Sequence, residues 1–326
     1  MIQIGSRHIP TNVLFAPLSG CSDLAFRLIV RECGAKFCFF EMVDAHSLIR
    51  PHPRRFEILA TTAEDVPIGA QLLGSDPAIM LDAAQILLEH VKVEFLDINS
   101  ACPVRKVLKK QAGAALLEYP EQLGTVIETL VTRLDVPITV KLRSGLTTLD
   151  LPALERVARM CEDRGAAALF VHGRTKSQGY SGQVHYEPIR TVKQIVSIPV
   201  FGSGDVFSAH LADTMVRETG CDGVLVARGA FGNPWIFREI ETFWQTGEPA
   251  PAPALAEKKA VLKRHLAYIA RYKKNSPAGK LGVMRKVTLW HLKGFPGAST
   301  VRGLVNTVPD YETLVRFIDE HMQETL

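Results

Sequence analysis

The stretch Leu96-Asp97-Ile98-Asn99-Ser100-Ala101-Cys102-Pro103 decides how this chain is read. The apolar run from Val93 to Ile98 has the length and composition of a short buried strand. Pro103 ends it, so Asn99 and Cys102 fall just past a strand's carboxyl end. Parallel α/β folds keep their chemistry at that end. Taken alone, Cys102 is one of six cysteines, and free cysteine is among the most buried residue types. What surrounds it in the rest of the chain gives it a different meaning.

Working outward, apolar and β-branched runs recur at 13–16, 37–43, 67–73, 95–99, 137–142, 168–172, 199–202 and 223–227. Between them, 76–90, 120–134, 151–164 and 188–196 carry helical periodicity. Near-continuously apolar strands alternating with helices form parallel sheets covered on both faces. Eight such units predict an α/β fold of the (β/α)8 TIM-barrel type. A doubly wound sheet is the structural alternative. It would more often open with a glycine-rich dinucleotide turn, whereas Ala16-Pro17-Leu18-Ser19-Gly20 follows the first strand here. The barrel is expected over 1–246. A Pro/Ala-rich linker follows at 247–253, then a small helical domain over 254–326, with helices at 255–274 and 281–292 broken by Asn275-Ser276-Pro277-Ala278-Gly279.

The 326 residues are 47% hydrophobic and 22% charged, an ordinary soluble composition. No apolar run approaches a membrane span, and the start lacks the plan of a signal peptide. The six cysteines form no CxxC pair, which predicts reduced thiols and a cytoplasmic setting, with no disulfide framework and no metal site. The net charge is +4, but it is uneven. Between Lys258 and Arg302 there are twelve Lys or Arg and no acid, so the expected helical domain is basic on a near-neutral body. A solvated helical face is the ordinary meaning of such a run. Its length without a single acid predicts a polyanionic partner.

In a barrel all strand ends face one mouth. The seventh strand runs into Gly202-Ser203-Gly204-Asp205 and the eighth into Ala227-Arg228-Gly229-Ala230. Glycine turns at those two strands are where such barrels bind phosphate, with Ser203, Gly204, Asp205, Ala227 and Arg228 as the candidate residues. Gln71, Lys141 and His172 end strands three, five and six. An amide, an ammonium and an imidazole converging on one mouth suit the edge of a flavin ring. A single phosphate site fits FMN better than a dinucleotide.

With these residues in place, the chain resembles the tRNA-dihydrouridine synthases, flavoenzymes that reduce the C5–C6 bond of uridines in RNA. The resemblance is carried by Ala16-Pro17-Leu18-Ser19-Gly20 with Asp23 and Phe26-Arg27, by Asp97-Ile98-Asn99-Ser100-Ala101-Cys102-Pro103, and by Ala112-Gly113-Ala114-Ala115-Leu116-Leu117. It continues through Val140-Lys141-Leu142-Arg143-Ser144-Gly145, His172-Gly173-Arg174-Thr175, the two glycine turns, and Gly232-Asn233-Pro234-Trp235-Ile236-Phe237. In the tail, Met284-Arg285-Lys286 to Trp290 and Lys293-Gly294-Phe295-Pro296-Gly297-Ala298 are similar to the bacterial B-type subfamily. Ala101 stands where the family usually carries Gly, Leu18 where it carries Met, and Ser203 where it carries Asn.

The resemblance implies FMN held also by Pro17, Leu18 and Ser19, NADPH as the reductant, and tRNA gripped by the basic tail. It implies flavin hydride at C6 and Cys102 as the proton donor to C5. Hydride addition leaves an enolate that a positioned acid must quench, and thiols, which titrate near ~8.5, are largely protonated at neutral pH. It further implies that Asn99, Arg143 and Tyr180 contact the uracil, and that the base is splayed out of the RNA to reach the mouth. Three other readings stay open on sequence: the same chemistry on ribosomal RNA, an FMN barrel acting on a free pyrimidine, and an RNA-binding barrel that has lost catalysis.

Overall fold

The computed structural model describes residues 1–293 and 298–322. The tail segment Gly294-Phe295-Pro296-Gly297 lies outside the described residues. Eight parallel strands close on themselves: β1 (Val13–Phe15), β2 (Cys38–Phe39), β3 (Ile68–Leu73), β4 (Leu96–Ser100), β5 (Ile138–Arg143), β6 (Ala168–His172), β7 (Val200–Ser203) and β8 (Gly223–Val226). The ring closes where β8 pairs with β1 in the register Leu225↔Leu14. The expected second strand at 37–43 is split. Phe40 N still donates to the Gly69 carbonyl at 2.9 Å, but Glu41 and Met42 leave the ladder, and Val43–Asp44 pairs separately beside Leu72 and Leu73. Two tertiary contacts draw them out: the Glu41 carboxylate accepts from the Gly20 backbone N–H, and the Met42 sulfur lies 3.0 Å from Asn99 Nδ2.

Side chains alternate across a strand, and this alternation builds the site. Outward residues such as Ile68, Ala70, Leu72, Leu96, Ile98 and Val140 pack under the helices. Inward, Leu14, Phe39, Phe95, Phe170, Phe201 and Leu225 form a separate apolar plug. It includes edge-on rings at Phe39–Phe95 (5.4 Å) and tilted rings at Phe170–Phe201 (5.1 Å). Each buried phenylalanine contributes roughly 2–3 kcal/mol. Ile4 and Ile9 of an N-terminal hairpin join this plug and close the strands' amino end. Further along the strands the inward positions turn polar: Gln71, Asn99, Lys141, His172 and Ser203. The barrel is therefore apolar below and polar at the mouth.

The helices start where side chains cap them. Asp23 accepts from Phe26 N at 3.0 Å, Asp76 from Ile79 N at 2.9 Å and Asp150 from Ala153 N at 3.0 Å, each satisfying a backbone donor the first turn cannot. After an irregular stretch, helices Leu255–Tyr272, Pro277–His291, Ala298–Val305 and Tyr311–His321 share their own apolar cluster around Leu262, Leu266, Met284, Leu314 and Ile318. They sit against the barrel beside β1 and β8. The Phe231 ring stacks on Trp290 with centroids 4.1 Å apart and planes 2° from parallel, and Trp235 Nε1 donates to Glu257 at 2.7 Å. Gly232 (φ +76°) makes this seat possible, since a Cβ there would lie 2.1 Å from the Trp290 carbonyl oxygen.

Candidate active site

The Cys102 turn is built from below. Asn99 lies opposite Lys141 and Gln71 opposite Asp97 in the strand registers. Asn99 Oδ1 accepts from the backbone N–H groups of Ala101 (3.1 Å) and Cys102 (2.9 Å), a side-chain cap on the turn. Asn99 Nδ2 donates to Gln71 Oε1 at 2.7 Å, and Gln71 Nε2 donates to Asp97 Oδ2 at 2.6 Å. The other Asp97 oxygen accepts from Thr139 Oγ1 at 2.7 Å. From the other side Gly113 (φ +62°) presses close, and a Cβ there would lie 2.8 Å from the Cys102 carbonyl oxygen. Ala101 lies outside the left-handed region, so alanine carries no backbone strain at this position. Cys102 itself is half-buried and a free thiol.

Asn99, expected against the uracil, has both its amide ends engaged within the protein, Oδ1 with the Cys102 turn and Nδ2 with Gln71. Arg143 is largely spent in the same way. Nε donates to the Ala101 carbonyl at 2.7 Å, and Nη1 donates to those of Thr175 (2.9 Å) and Gly179 (3.1 Å). It braces the Cys102 turn against the loop that carries Tyr180, and Nη2 keeps its two donors without a partner among the described residues.

Lys141 has no hydrogen-bond or ion-pair partner among the described residues. Burial and the neighbouring Arg143 cation hold its ammonium below the usual lysine range, with Asp97 opposing. His172 Nδ1 is 3.0 Å from Ser203 Oγ, while its Nε2 is buried with no partner among the described residues. Burial, and then Lys141 and Arg143, keep this imidazole well below its ordinary value, so it is neutral. Ser203 thus fixes the histidine.

Beside His172, Ser203, Gly204, Asp205, Ala227 and Arg228 line a narrow cavity of about 30 Å³. Asp205, at φ +48°, binds two arginines: Arg174 Nη1 at 3.0 Å and Arg228 Nη2 at 2.8 Å. Arg174 is 2% exposed. The Arg228 guanidinium lies 4.6 Å from the Tyr180 ring centroid and 5.5 Å from that of Phe207. Tyr180 and Phe207 are both exposed at the mouth. On the loop after the neighbouring β1, Pro17 and Leu18 are half-buried and Ser19 is exposed. Ser22 Oγ accepts from Leu18 N at 2.8 Å and holds that loop.

The basic tail is less free than its composition suggests. Lys259 and Lys263 pair with Asp319, Arg264 with Glu32, and Lys273 with Asp23. Lys280, Arg285 and Lys286 donate to the backbone carbonyls of Ala270, Val308 and Gly20. Lys293 lies 5.9 Å from the Phe207 ring centroid, at the mouth. A second basic group lies in the segment after Cys102. Arg105, Lys106 and Lys109 are exposed and have no ion-pair partner among the described residues, and Lys110 pairs with Asp44 at 2.7 Å. In a closed ring of eight, β4 stands opposite β8, so this group faces the tail across the mouth. It was legible as four cations in six residues.

The dihydrouridine synthase family model matches residues 14–326. The chain is 36% identical over 310 residues to "tRNA-dihydrouridine synthase B" of Pseudomonas aeruginosa, covering 95% of this chain and 92% of the relative. It is 33% identical over 322 residues to the protein of that name from Salmonella typhimurium, covering 99% of each. It is 39% identical over 306 residues to "Probable tRNA-dihydrouridine synthase 1" of Synechocystis sp., covering 92% and 83%. Among solved structures, morphinone reductase superposes with a TM-score of 0.53 at 13% identity, over 79% of this chain and 92% of that one. An old yellow enzyme homologue from Zymomonas mobilis gives 0.52 at 13%, over 79% and 94%. At that identity the likeness is one of fold, and it is the barrel described above. No described helix is long and apolar enough to cross a membrane. The chain belongs to the dihydrouridine synthase family.

Proposed function

We propose that this protein reduces the C5–C6 bond of uridine in tRNA, using FMN and NADPH. The observation that carries the proposal is a pair of unsatisfied groups on one rim. The buried His172 Nε2 and the half-buried Lys141 ammonium have no partner among the described residues, and both lie on the polar rim that carries the Cys102 turn. A buried polar atom without a partner is costly, and a flavin ring edge with its phosphate would satisfy both. Lys141, His172 and the spare N–H of Gln71 would hold the ring. Ser203, Gly204, Asp205, Ala227 and Arg228 would hold the phosphate, with Pro17, Leu18 and Ser19 on the β1 side. When bound there, FMN would supply the hydride for C6 of the uracil. Cys102 delivers the proton to C5, so NADPH, one proton and uridine become NADP⁺ and dihydrouridine. Arg143 Nη2 stands ready for the enolate oxygen, where preorganised donors act best, and Tyr180 borders the pocket from above.

The tail helices and the segment after Cys102 would grip RNA phosphates from opposite sides of the mouth, mainly through charge. The triple variant Arg105→Ala/Lys106→Ala/Lys109→Ala is expected to bind unmodified tRNA more weakly. The slope of log affinity against log salt should shrink by about 2 to 3, roughly one per lost phosphate contact. Filter binding at several salt concentrations measures it, and an unchanged slope would remove this face from the RNA surface. The function itself is tested by following NADPH oxidation with and without unmodified tRNA. Turnover with ribosomal RNA alone, or with free pyrimidines alone, would replace the proposed substrate.

A further inference from the structure

The hydrogen-bond chain beneath Cys102 has a direction, and its upper end fixes it. At the top, the backbone N–H groups of Ala101 and Cys102 can only donate, so Asn99 must turn Oδ1 toward them. Its Nδ2 then faces Gln71 Oε1, and Gln71 must turn Nε2 downward. At the bottom, Asp97 accepts on both oxygens, from Gln71 and from Thr139. Each amide orientation thus follows from the one above it, starting at the two backbone donors. All of Asp97, Gln71, Asn99 and Thr139 are buried, with Asp97 and Thr139 fully so. A carboxylate at the base of the polar layer needs such partners, because an unpaired buried charge is expensive. Burial pushes the Asp97 carboxyl upward, while the donors Gln71 and Thr139 and the Lys141 cation pull it back.

We propose that Asp97 is a positioning residue for Cys102, acting through the one-way chain Asp97–Gln71–Asn99 to hold the thiol-bearing turn. Asp97 touches neither thiol nor substrate. It sets the acceptor that makes Gln71 present its oxygen upward, which in turn leaves Asn99 Oδ1 to cap the turn. The inference rests on Cys102 being the proton donor, but its test reads geometry separately from that role.

The test reverses the chain. In Asn99→Asp the new carboxylate still caps the turn, but it can no longer donate to Gln71, and an oxygen faces an oxygen. Flipping Gln71 to relieve this would set its oxygen against Asp97. In the double variant Asp97→Asn/Asn99→Asp the bonds between positions 97, 71 and 99 re-form in reverse. The carboxylate, now at position 99, accepts from the turn and from Gln71 Nε2. Gln71 Oε1 then accepts from the amide introduced at position 97, whose own oxygen accepts from Thr139. Net charge is unchanged. The readouts are the rate of Cys102 alkylation by iodoacetamide in flavin-free protein, the thermal midpoint, and kcat and KM for tRNA.

Asn99→Asp is expected to change the alkylation rate several-fold and to lower kcat about tenfold or more, with KM within about twofold. The double variant should return the alkylation rate toward wild type, while kcat stays low because the reversed Gln71 amide moves the N–H that would hold the ring. Recovery of the alkylation rate supports the chain even if Cys102→Ala later proves fully active, which would fail the donor role alone. A double variant no better than Asn99→Asp in alkylation rate would overturn the proposal, as would an Asn99→Asp variant with wild-type alkylation and kcat. If Asn99→Asp is too unstable to purify, a stable double variant with the wild-type alkylation rate supports the chain, and one with an altered rate overturns it.

Discussion

Cys102→Ala is expected to keep FMN and lose turnover by about 10²- to 10⁴-fold, the range a positioned general acid contributes. Two structural facts separate these effects. Cys102 is not among the residues lining the cavity beside His172 and Arg228, so the proposed phosphate site is untouched. The turn that carries it is fixed by backbone contacts, through Asn99 Oδ1 to Cys102 N and through Ala114 N donating to the Cys102 carbonyl at 3.1 Å. Alanine removes only the sulfur. Reduction of the bound flavin by NADPH should be unaffected, because that half-reaction needs no proton at C5. The expected phenotype is a yellow protein that accepts electrons and passes them to tRNA slowly. Stopped-flow measurement of the two half-reactions checks it. A variant as active on tRNA as the parent would move the proton donor elsewhere.

Asp205→Ala should damage stability and cofactor binding together. The carboxylate neutralises Arg174, which is almost wholly buried, and restrains Arg228 beneath Tyr180. Removing one partner of a buried pair strands the other charge, at a cost of about 3–5 kcal/mol. Asp205 is 30% exposed, so the lower figure of about 3 kcal/mol is expected, with a fall in Tm of roughly 4 °C for a chain of this length. The loss should be larger in the presence of saturating FMN than in its absence, because the freed Arg228 no longer borders the cavity in one position. Asp205→Asn keeps acceptor capacity on one oxygen and should fall between the two. Thermal unfolding with and without FMN, alongside a fluorescence titration of the flavin, measures both. An Asp205→Ala protein with parental Tm and flavin affinity would mean the two arginines find other partners.

The barrel was readable in the chain because its strands are apolar on both faces and its helices are punctuated by Asp, Ser and Pro caps. Those signals are local. The interruption before Val43 was not, since Glu41 and Met42 leave the ladder for Gly20 in the loop after β1 and for Asn99 on β4. The polar rim was legible as a series of strand ends, one residue at a time. What each side chain does there was less so. Asn99 reads as a substrate amide in sequence and has both amide ends engaged within the protein in space. Asp97 was visible as a lone acid inside an apolar strand, which is itself a sign that partners must exist. The tail's charge illustrates the same limit. Its twelve cations are plain in sequence, but that Lys259 and Lys263 meet Asp319 is a matter of packing. The four cations after Cys102 were equally plain and were overshadowed by the longer run.

The most direct measurement is a single anaerobic turnover. The purified protein is loaded with FMN, reduced by one equivalent of NADPH and mixed with unmodified tRNA. The flavin should reoxidise at a rate set by the RNA, and one uridine per tRNA should gain two hydrogens by mass spectrometry. Reduced flavin that persists with tRNA, yet reoxidises with a free pyrimidine, would contradict the account.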